Sequence, residues 1–207
     1  IDKNELQNKS VDKITVVLKK EVELDWNLLL VNPNNKMPDD YLIPLDSLDQ
    51  YRSFDKRAIA YLTQMLKAIR HAGISNVWIQ SAYRTPEDQQ TLFEEQVQSY
   101  KSQGYSEKKA KELTEKMINK PWHSEHNLGL AVDFNYVNRE FENTDAFHWL
   151  QENAQDYGFI LRYAKEKEDI TKVNYEPCHW RYVGAEHAKK MKKQNLCLEE
   201  YIEQVIK

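Results

Sequence analysis

The segment that decides the fold is Trp122-His123-Ser124-Glu125-His126-Asn127-Leu128-Gly129-Leu130-Ala131-Val132-Asp133-Phe134. A polar loop with two histidines runs into an apolar stretch, which predicts a short β-strand that ends in a carboxylate. Gly129 allows a tight backbone turn, and the small side chain of Ala131 leaves one face of the strand open. The spacing is compatible with His126 and Asp133 facing one metal ion, although it does not require this.

Helices are predicted on both sides of this segment. Apolar residues recur every three or four positions over 55–72, and Gly73 follows at the C-cap, as is typical of an amphipathic helix. Thr85 can cap the helix that begins at Pro86, since proline suits the first turn. The remaining predicted helices are 86–102, 106–119, 143 or 144 to 158, and two short helices after residue 184.

Short apolar runs predict strands at 14–18, 26–31, 41–45, 76–81, 130–134 and 159–163. A hairpin is predicted from the segments 173–175 and 179–183, with Glu176, Pro177 and Cys178 at or near its turn. The expected fold class is therefore α+β, with a small, mainly antiparallel sheet flanked by helices.

Length and composition fit one folded domain. The chain has 207 residues, of which 41% are hydrophobic and 11% are aromatic, so it can bury a core of its own. Residues 1–22 are expected to form a polar N-terminal stalk or tether, and residues 23–207 the domain. No stretch approaches the ~20 apolar residues of a membrane span. The chain starts at Ile1 rather than Met, so a signal peptide or an anchor before residue 1 stays open.

Charge and cysteine content narrow the classes of partner. The 29 basic and 33 acidic residues give a net charge of −4, which argues against nucleic acid, because proteins that bind the phosphate backbone need a basic face. Cys178 and Cys197 are too few for a disulfide scaffold and lack the spacing of a structural zinc knuckle. A single bridge between them is one alternative. The preferred interpretation of Cys178 is a small buried hydrophobic residue.

Three residues match the ligand count of a catalytic zinc site. Catalytic zinc takes three protein ligands from His and Asp or Glu and leaves a fourth position for water. His126, Asp133 and His179 satisfy that count, although the same residues could be polar loop residues that only form hydrogen bonds. His123 is an alternative ligand if the loop coils.

Two further residues suit hydrolysis at such a metal. Glu176 stands three residues before His179 with the rigid Pro177 between them, a position that suits a general base beside the metal. Zinc lowers the pKa of its bound water toward ~7, and a nearby carboxylate can take the proton. Arg84 follows the predicted strand 76–81 and could stabilise the oxyanion on an attacked carbonyl, which is commonly worth about 3–4 kcal/mol. The pattern indicates metal-assisted amide hydrolysis.

The same residues carry a resemblance to a known family. Ser81-x-Tyr83-Arg84, Ser124-x-His126-x-x-Gly129-x-Ala131-x-Asp133 and Glu176-x-x-His179 occur in that order. They resemble the zinc D,D-carboxypeptidases of the VanY type, which are related to D-Ala-D-Ala dipeptidases and L,D-carboxypeptidases. The likeness covers about residues 26–205 and includes Tyr157-Gly158-Phe159-x-Leu161-Arg162-Tyr163 and Arg181-Tyr182-Val183-Gly184. One position departs from the pattern, because the family usually has Trp where this chain has Cys178.

The resemblance implies roles for individual residues. It implies a zinc ion (Zn2+) on His126, Asp133 and His179, in a cleft at the sheet. It also implies Glu176 as the general base and Arg84 as the group that polarises the scissile carbonyl. Ser124 and Gln89 are implied to line the substrate pocket. Further candidate substrate-binding residues are Tyr83, Tyr163 and Trp180, of which Tyr163 and Trp180 could equally be core aromatic residues.

The implied activity is removal of the C-terminal D-Ala from peptidoglycan stem peptides or their precursors, with residues 23–207 as the catalytic domain. Because that substrate lies outside the cytoplasmic membrane, the protein is expected to be extracytoplasmic in a bacterium, either secreted or membrane-anchored through a segment before residue 1. Its role could be antibiotic resistance or routine wall trimming.

Two other functions use the same residues differently. An L,D-carboxypeptidase or a D-Ala-D-Ala dipeptidase would share the zinc site and differ in its pocket. A non-catalytic cell-wall binding module would keep zinc for structure only. A structural site closes with four protein ligands and needs no free carboxylate, so Glu176 and Arg84 count against the module.

Overall fold

The computed structural model describes residues 25–206, so the predicted stalk over 1–22 and the predicted strand 14–18 lie outside the described residues. The helices are α1 (Ile59–His71), α2 (Pro86–Ser102), α3 (Glu107–Glu115), α4 (Asp145–Asn153), α5 (Glu168–Thr171), α6 (Ala185–Gln194) and α7 (Leu198–Ile206). The strands are β1 (Leu45–Ser47), β2 (Ser53–Asp55), β3 (Ile79–Ser81), β4 (Ala131–Phe134), β5 (Phe159–Tyr163) and β6 (Glu176–Tyr182). Within residues 25–206, no helix is long and apolar enough to span a membrane.

A four-stranded antiparallel sheet with the order β3-β4-β6-β5 forms the centre of the molecule. Asp133 on β4 lies opposite His179 on β6, and Ser81 on β3 lies opposite Asp133. The two central strands therefore bring two of the candidate ligands side by side. A separate two-stranded hairpin, formed by β1 and β2, lies next to the loop that precedes β4, since the Asp55 N–H donates to the carbonyl of Gly129.

The main core lies between the sheet and the helices α1 and α4. Leu62, Met65 and Ile69 of α1 are fully buried in one cluster with Val132 and Phe134 of β4. Burying an aliphatic or aromatic side chain of this size contributes roughly 1.5–3 kcal/mol. On the other side, α6 and α7 pack against β5 through a second cluster. This arrangement confirms the predicted α+β class and the antiparallel sheet flanked by helices.

The helices α2 and α3 form a hairpin beside the sheet, called here the outer hairpin (residues 86–115). Thr85 caps α2 by accepting a hydrogen bond from the Asp88 N–H, as predicted. The outer hairpin has a small core of its own, made of Phe93, Val97 and Ala110. The helix predicted over 106–119 ends at Glu115 instead.

Two predicted strands near the N-terminus are wrong. The segment 26–31 contains a short 3₁₀ helix, Trp26–Leu28, and no strand. The Arg181 guanidinium donates to the carbonyls of Asn27 and Leu29, at 3.0 Å each, and so occupies acceptors that a neighbouring strand would need. The strand predicted over 41–45 begins only at Leu45, where β1 pairs with β2.

The predicted hairpin around Glu176 is also wrong, because β6 runs unbroken from Glu176 to Tyr182. Leu161 pairs with Trp180 and Tyr163 pairs with Glu176, so β6 carries extra residues opposite this part of β5. Such a bulge leaves a backbone N–H unpaired, which is why the strand can accommodate Pro177.

Both cysteines are free and buried. The alternative of a Cys178–Cys197 bridge is therefore not realised, and Cys178 is the small buried residue that the sequence favours, with 1% of its surface exposed.

Candidate metal centre

The loop before β4 places the first candidate ligand. Residues Glu125–Leu128 form a 3₁₀ turn that is capped by Ser124, whose hydroxyl accepts from the His126 N–H. Gly129 ends the turn with a left-handed backbone (φ 66°). A Cβ at this position would lie 2.9 Å from the Leu45 side chain and 3.2 Å from the Asp55 nitrogen. The chain can therefore turn directly from the histidine into β4, against the neighbouring β1–β2 hairpin.

His126, Asp133 and His179 meet at one point, with one ligand atom from each lying within 4.8 Å of the others. The His126 Nε2 is 3.1 Å from the Asp133 Oδ2, and the His179 Nδ1 is 3.1 Å from the Asp133 Oδ1. The two imidazole rings stand nearly perpendicular, at 89°. All three residues are buried.

This donor set fits zinc. Two imidazole nitrogens and one carboxylate are the ligands of many catalytic zinc sites. The His126 Nδ1 lies 2.7 Å from the carbonyl oxygen of Ala82, so Nδ1 carries a proton, and Nε2, on the side of Asp133, is the nitrogen that can bind a metal. His123 is not part of the group, because its Nδ1 lies 2.9 Å from the carbonyl oxygen of Asn32.

The electrostatics of the three residues favour a bound cation. Burial raises the pKa of the Asp133 carboxyl, but the two histidines outweigh this and hold that pKa well below its usual range. Burial lowers the pKa of His179, but the carboxylates of Asp133, Glu125 and Glu176 raise it to about 9. Burial lowers the pKa of His126. An ionised carboxylate thus lies between two imidazoles, a place where a metal ion can replace a proton.

Glu176 lies beside this group without belonging to it. Its Oε2 is 3.9 Å from the His179 Nδ1. Burial and the neighbouring carboxylate of Asp133 raise the pKa of Glu176 to about 8, although His179 and Arg84 act in the opposite direction.

The three residues open into a cavity of about 820 Å³ between the sheet and the outer hairpin. The sequence-predicted residues that line it are Arg84, Gln89, Ser124, His126, Asp133, Tyr163, Glu176 and His179. The Tyr163 ring lies against the His179 ring, with the centroids 4.9 Å apart. Residues of the outer hairpin, including Thr91, Leu92 and Glu95, line the opposite wall.

Arg84 is held at the cavity wall by two side chains. It donates to the Gln89 Oε1 and to the Ser81 Oγ, at 2.9 Å each. Gln89 is 1% exposed, and its amide donates to the Asn119 carbonyl at 2.6 Å. Gln89, on α2, therefore connects Arg84 to the segment that follows the outer hairpin.

Two predicted pocket residues lie elsewhere. Trp180 belongs to the main core, where its indole N–H donates to the Pro177 carbonyl at 3.0 Å. Successive residues of a strand point to opposite faces, so Trp180 points away from the face that carries His179. Tyr83 is not among the cavity-lining residues, and its backbone N–H donates to the Ser53 carbonyl in β2.

Comparison with known proteins places the chain in a family. The profile described as "VanY: D-alanyl-D-alanine carboxypeptidase" matches residues 51–185. The chain belongs to the VanY family. A D-alanyl-D-alanine carboxypeptidase of Enterococcus faecalis is 42% identical over 180 residues, which cover 87% of this chain and 67% of that protein. The resemblance seen in the motifs is confirmed, and with it the enzyme class.

Solved structures of VanY proteins share the fold. The vancomycin resistance D,D-pentapeptidase VanY from a VanB-type resistance cassette, in complex with Zn(II), gives a TM-score of 0.79 at 41% identity, covering 86% of this chain and 99% of that one. VanYB in complex with D-alanine-D-alanine gives a TM-score of 0.80 at 41% identity, covering 86% of this chain and 98% of that one.

One buried residue of this VanY-family site is not found by sequence reasoning. Glu125 is fully buried, and its Oε1 accepts from Arg162 at 2.7 Å and lies 3.0 Å from Arg181. Its Oε2 is 3.5 Å from the His179 Nε2. The sequence signal is present in retrospect, since Arg162 and Arg181 both occur in the family motifs without a role of their own.

Proposed function

We propose that this protein is a zinc-dependent D,D-carboxypeptidase that removes the C-terminal D-Ala from peptidoglycan stem peptides or their precursors. The observation that carries the proposal is the convergence of His126, Asp133 and His179 with Glu176 and Arg84 at one cavity. Membership of the VanY family supports the reaction. The solved relatives with Zn(II) and with D-alanine-D-alanine support the metal and the substrate.

His126, Asp133 and His179 would hold the zinc. When bound, zinc supplies a Lewis acid that lowers the pKa of water toward ~7 and polarises a carbonyl oxygen. The chain would contribute three protein ligands, the number that a catalytic zinc site takes when it keeps one position for water. The large cavity and the free carboxylate of Glu176 make a purely structural metal the weaker interpretation.

Glu176 acts as the general base. Its carboxylate takes a proton from the water that attacks the peptide carbonyl, and it returns the proton to the nitrogen of the departing D-Ala. A pKa raised to about 8 by burial favours both proton transfers, because the group can gain and lose a proton near neutral pH. That value belongs to the metal-free protein, and the positive charge of a bound metal would lower it and favour the ionised form that acts as the base.

Arg84 stabilises the negative charge that develops on the carbonyl oxygen. Its guanidinium is a permanent cation, and the bonds to Gln89 and Ser81 fix it at the wall of the cavity. Ser124 and Tyr163 line the same cavity and would contact the peptide next to the cleaved bond. Gln89 acts mainly by holding Arg84.

The location of the protein follows from its substrate. Mature stem peptides lie outside the cytoplasmic membrane, which supports an extracytoplasmic protein in a bacterium, secreted or anchored to the membrane. Protease treatment of intact cells that express the full-length protein tests this, with a cytoplasmic enzyme as the control. We expect the protease to degrade this protein and to leave the cytoplasmic enzyme intact. Equal protection of both proteins would contradict the proposal.

A comparison of three substrates tests the reaction. The zinc-loaded protein is incubated with a stem pentapeptide ending in D-Ala-D-Ala, with the tetrapeptide ending in one D-Ala, and with free D-Ala-D-Ala, and the released D-Ala is quantified. Release from the pentapeptide alone is expected. Release mainly from the tetrapeptide would indicate an L,D-carboxypeptidase, and release mainly from the free dipeptide would indicate a dipeptidase. Binding to cell walls without hydrolysis would indicate a binding module.

A further inference from the structure

We infer that Glu125 is a positioning residue for His179. The Glu125 carboxylate accepts the Nε2–H of His179 and thereby turns the Nδ1 of the same ring toward the metal position. The inference rests on the proposed function only in so far as His179 binds a metal. It assigns a role to a carboxylate that lies behind the site rather than in the cavity.

The first observation is a pair of buried atoms without partners. Among the described residues, neither the His179 Nε2 nor the Glu125 Oε2 has a hydrogen-bond partner. The two atoms face each other at 3.5 Å. Buried polar atoms are nearly always hydrogen-bonded, and an approach of a few tenths of an ångström would form an ordinary N–H···O bond of about 3 Å. Each atom is thus the natural partner of the other.

The second observation is that the two ring nitrogens of His179 face different surroundings. The Nδ1 lies 3.1 Å from the Asp133 Oδ1 and 3.9 Å from the Glu176 Oε2, on the cavity side. The Nε2 faces the interior and Glu125. A neutral imidazole has one N–H, and an ionised carboxylate can only accept. A bond to Glu125 therefore places the proton on Nε2 and leaves the lone pair of Nδ1 for a metal.

The third observation is that Glu125 is fixed in place. Arg162 and Arg181 both contact its Oε1, which leaves Oε2 for His179. Arg162 also donates to both oxygens of Glu199 on α7, at 2.9 and 2.6 Å. Two arginines and two carboxylates balance one another in the interior, where an unpaired charge would be strongly destabilising. The cluster extends from α7 to the metal ligand.

Each histidine ligand thus has an acceptor behind its ring. The Ala82 carbonyl accepts from His126 at 2.7 Å, and the Glu125 carboxylate faces the His179 Nε2 at 3.5 Å. Partners of this kind fix the tautomer and orientation of the ring, and their removal typically costs 10–100-fold in metal affinity.

The first test uses the unaltered protein loaded with zinc. Nitrogen-15 NMR of the His179 ring distinguishes a protonated nitrogen from a metal-bound nitrogen. Zinc on Nδ1 and a proton on Nε2 are expected. Zinc on Nε2 would overturn the inference, and no variant has to fold for this result to be obtained.

The second test compares three variants by competition for zinc with a chelator. Glu125→Gln should weaken zinc binding about 10–100-fold, and Glu199→Gln, one step further away, should weaken it less. Asp55→Asn is the matched control, because Asp55 is a fully buried carboxylate paired with Arg57 and does not contact His179. It should lower stability and leave zinc affinity unchanged.

The outcomes of the second test separate positioning from mere stability. If Glu125→Gln binds zinc as tightly as the parent, or if Asp55→Asn weakens binding as much, the inference is wrong. If Glu125→Gln does not fold, the NMR measurement on the unaltered protein decides. Neither readout uses a peptide, so a protein that binds zinc in this way and cleaves nothing would refute the proposed function and leave this inference standing.

Discussion

The two walls of the cleft differ in how they are built. The sheet wall, formed by β4 and β6, carries Asp133 and His179 and is continuous with the main core. The outer hairpin has a separate core of three buried residues. The segment that follows it, residues 116–119, forms single hydrogen bonds beside the sheet wall. The Asn174 N–H donates to the Lys116 carbonyl at 2.8 Å, and the Asn119 amide donates to the Tyr163 hydroxyl at 3.3 Å.

Precise positions are needed in the sheet wall more than in the outer hairpin. Metal ligands must keep their positions within fractions of an ångström. Here Asp133 and His179 lie on paired strands, and His126 lies in the 3₁₀ turn just before β4, where the Ala82 carbonyl holds its ring. A wall that only contacts the substrate can tolerate variation, and many of its residues are exposed and charged. Substitutions in the two walls should therefore differ greatly in effect.

The largest effect is expected on the sheet wall, from loss of the general base. Glu176→Gln should lower kcat about 10³-fold, within the range that general acid–base catalysis usually contributes. The variant should keep its zinc, because Glu176 is not one of the three grouped ligands. Release of D-Ala and bound zinc are measured on the same sample. Activity within tenfold of the parent would refute the assignment.

The next effect concerns the residue that lies between the walls. Arg84→Gln should lower kcat about 10²–10³-fold, as expected when one oxyanion donor is lost. Arg139→Gln is the control, since Arg139 also lines the cavity but is exposed, and its activity should change little. A change in KM with an unaltered kcat for the Arg84 variant would assign that residue to substrate binding instead.

A smaller effect is expected on the stability of protein from which metal has been removed by a chelator. Burial raises the pKa of Glu176 to about 8, so the stability it contributes is complete below its ordinary pKa of 4.5 and is lost as the pH rises through 8. The pKa of His179 is raised to about 9, so its contribution is complete below 6.5 and is lost as the pH rises through 9. The stabilising contributions of Glu176 and His179 therefore both decrease as the pH rises, and the Tm should fall by several degrees between pH 6 and pH 9.

Calorimetry with and without zinc checks this prediction. Zinc binding requires His179 to lose its proton, so the metal should become more stabilising as the pH rises over the same range. A Tm of the chelated protein that stays constant or rises between pH 6 and pH 9 would contradict it. The outer hairpin should not contribute to this pH dependence of the Tm, because its charged groups are on the surface.

The smallest effect is expected on the outer hairpin. Lys111 pairs with Glu107 at 2.8 Å, and both side chains are more than half exposed. Lys111→Ala should leave both the Tm and the rate of D-Ala release within experimental error, because exposed ion pairs contribute little. A large loss of activity would show that the outer hairpin takes part in the reaction and would remove the contrast between the walls.

Local patterns predict the elements that carry the site. The periodic apolar residues of α1, the cap at Thr85 and the strand Phe159–Tyr163 are found where the sequence places them. The motif residues His126, Asp133 and His179 are also predictable as a group, because three separated motifs of one family occur in order. Their convergence in space is a property of the strand pairing, which the sequence shows only through that resemblance.

The errors share a physical cause, which is dependence on distant partners. Pro177 is typical of a turn in the sequence, but the pairing of β6 with β5 places it in a bulge. The segment 26–31 reads as a strand, but the side chain of Arg181, more than 150 residues away, occupies its carbonyls. The sequence around Glu125 indicates a loop carboxylate. In the structure it is buried against Arg162 and Arg181, which come from β5 and β6. No local pattern contains this information.

Gly129 has an evolutionary consequence. It separates two metal ligands with a left-handed backbone (φ 66°), and a Cβ there would come within 2.9 Å of a neighbouring side chain. Every single-nucleotide change that replaces this glycine with another residue adds a Cβ to a left-handed backbone, 3.2 Å from the Asp55 backbone nitrogen, and also requires the Leu45 side chain to move. A lineage can therefore explore many sequences on the outer hairpin, whereas a change at residue 129 introduces backbone strain between two metal ligands.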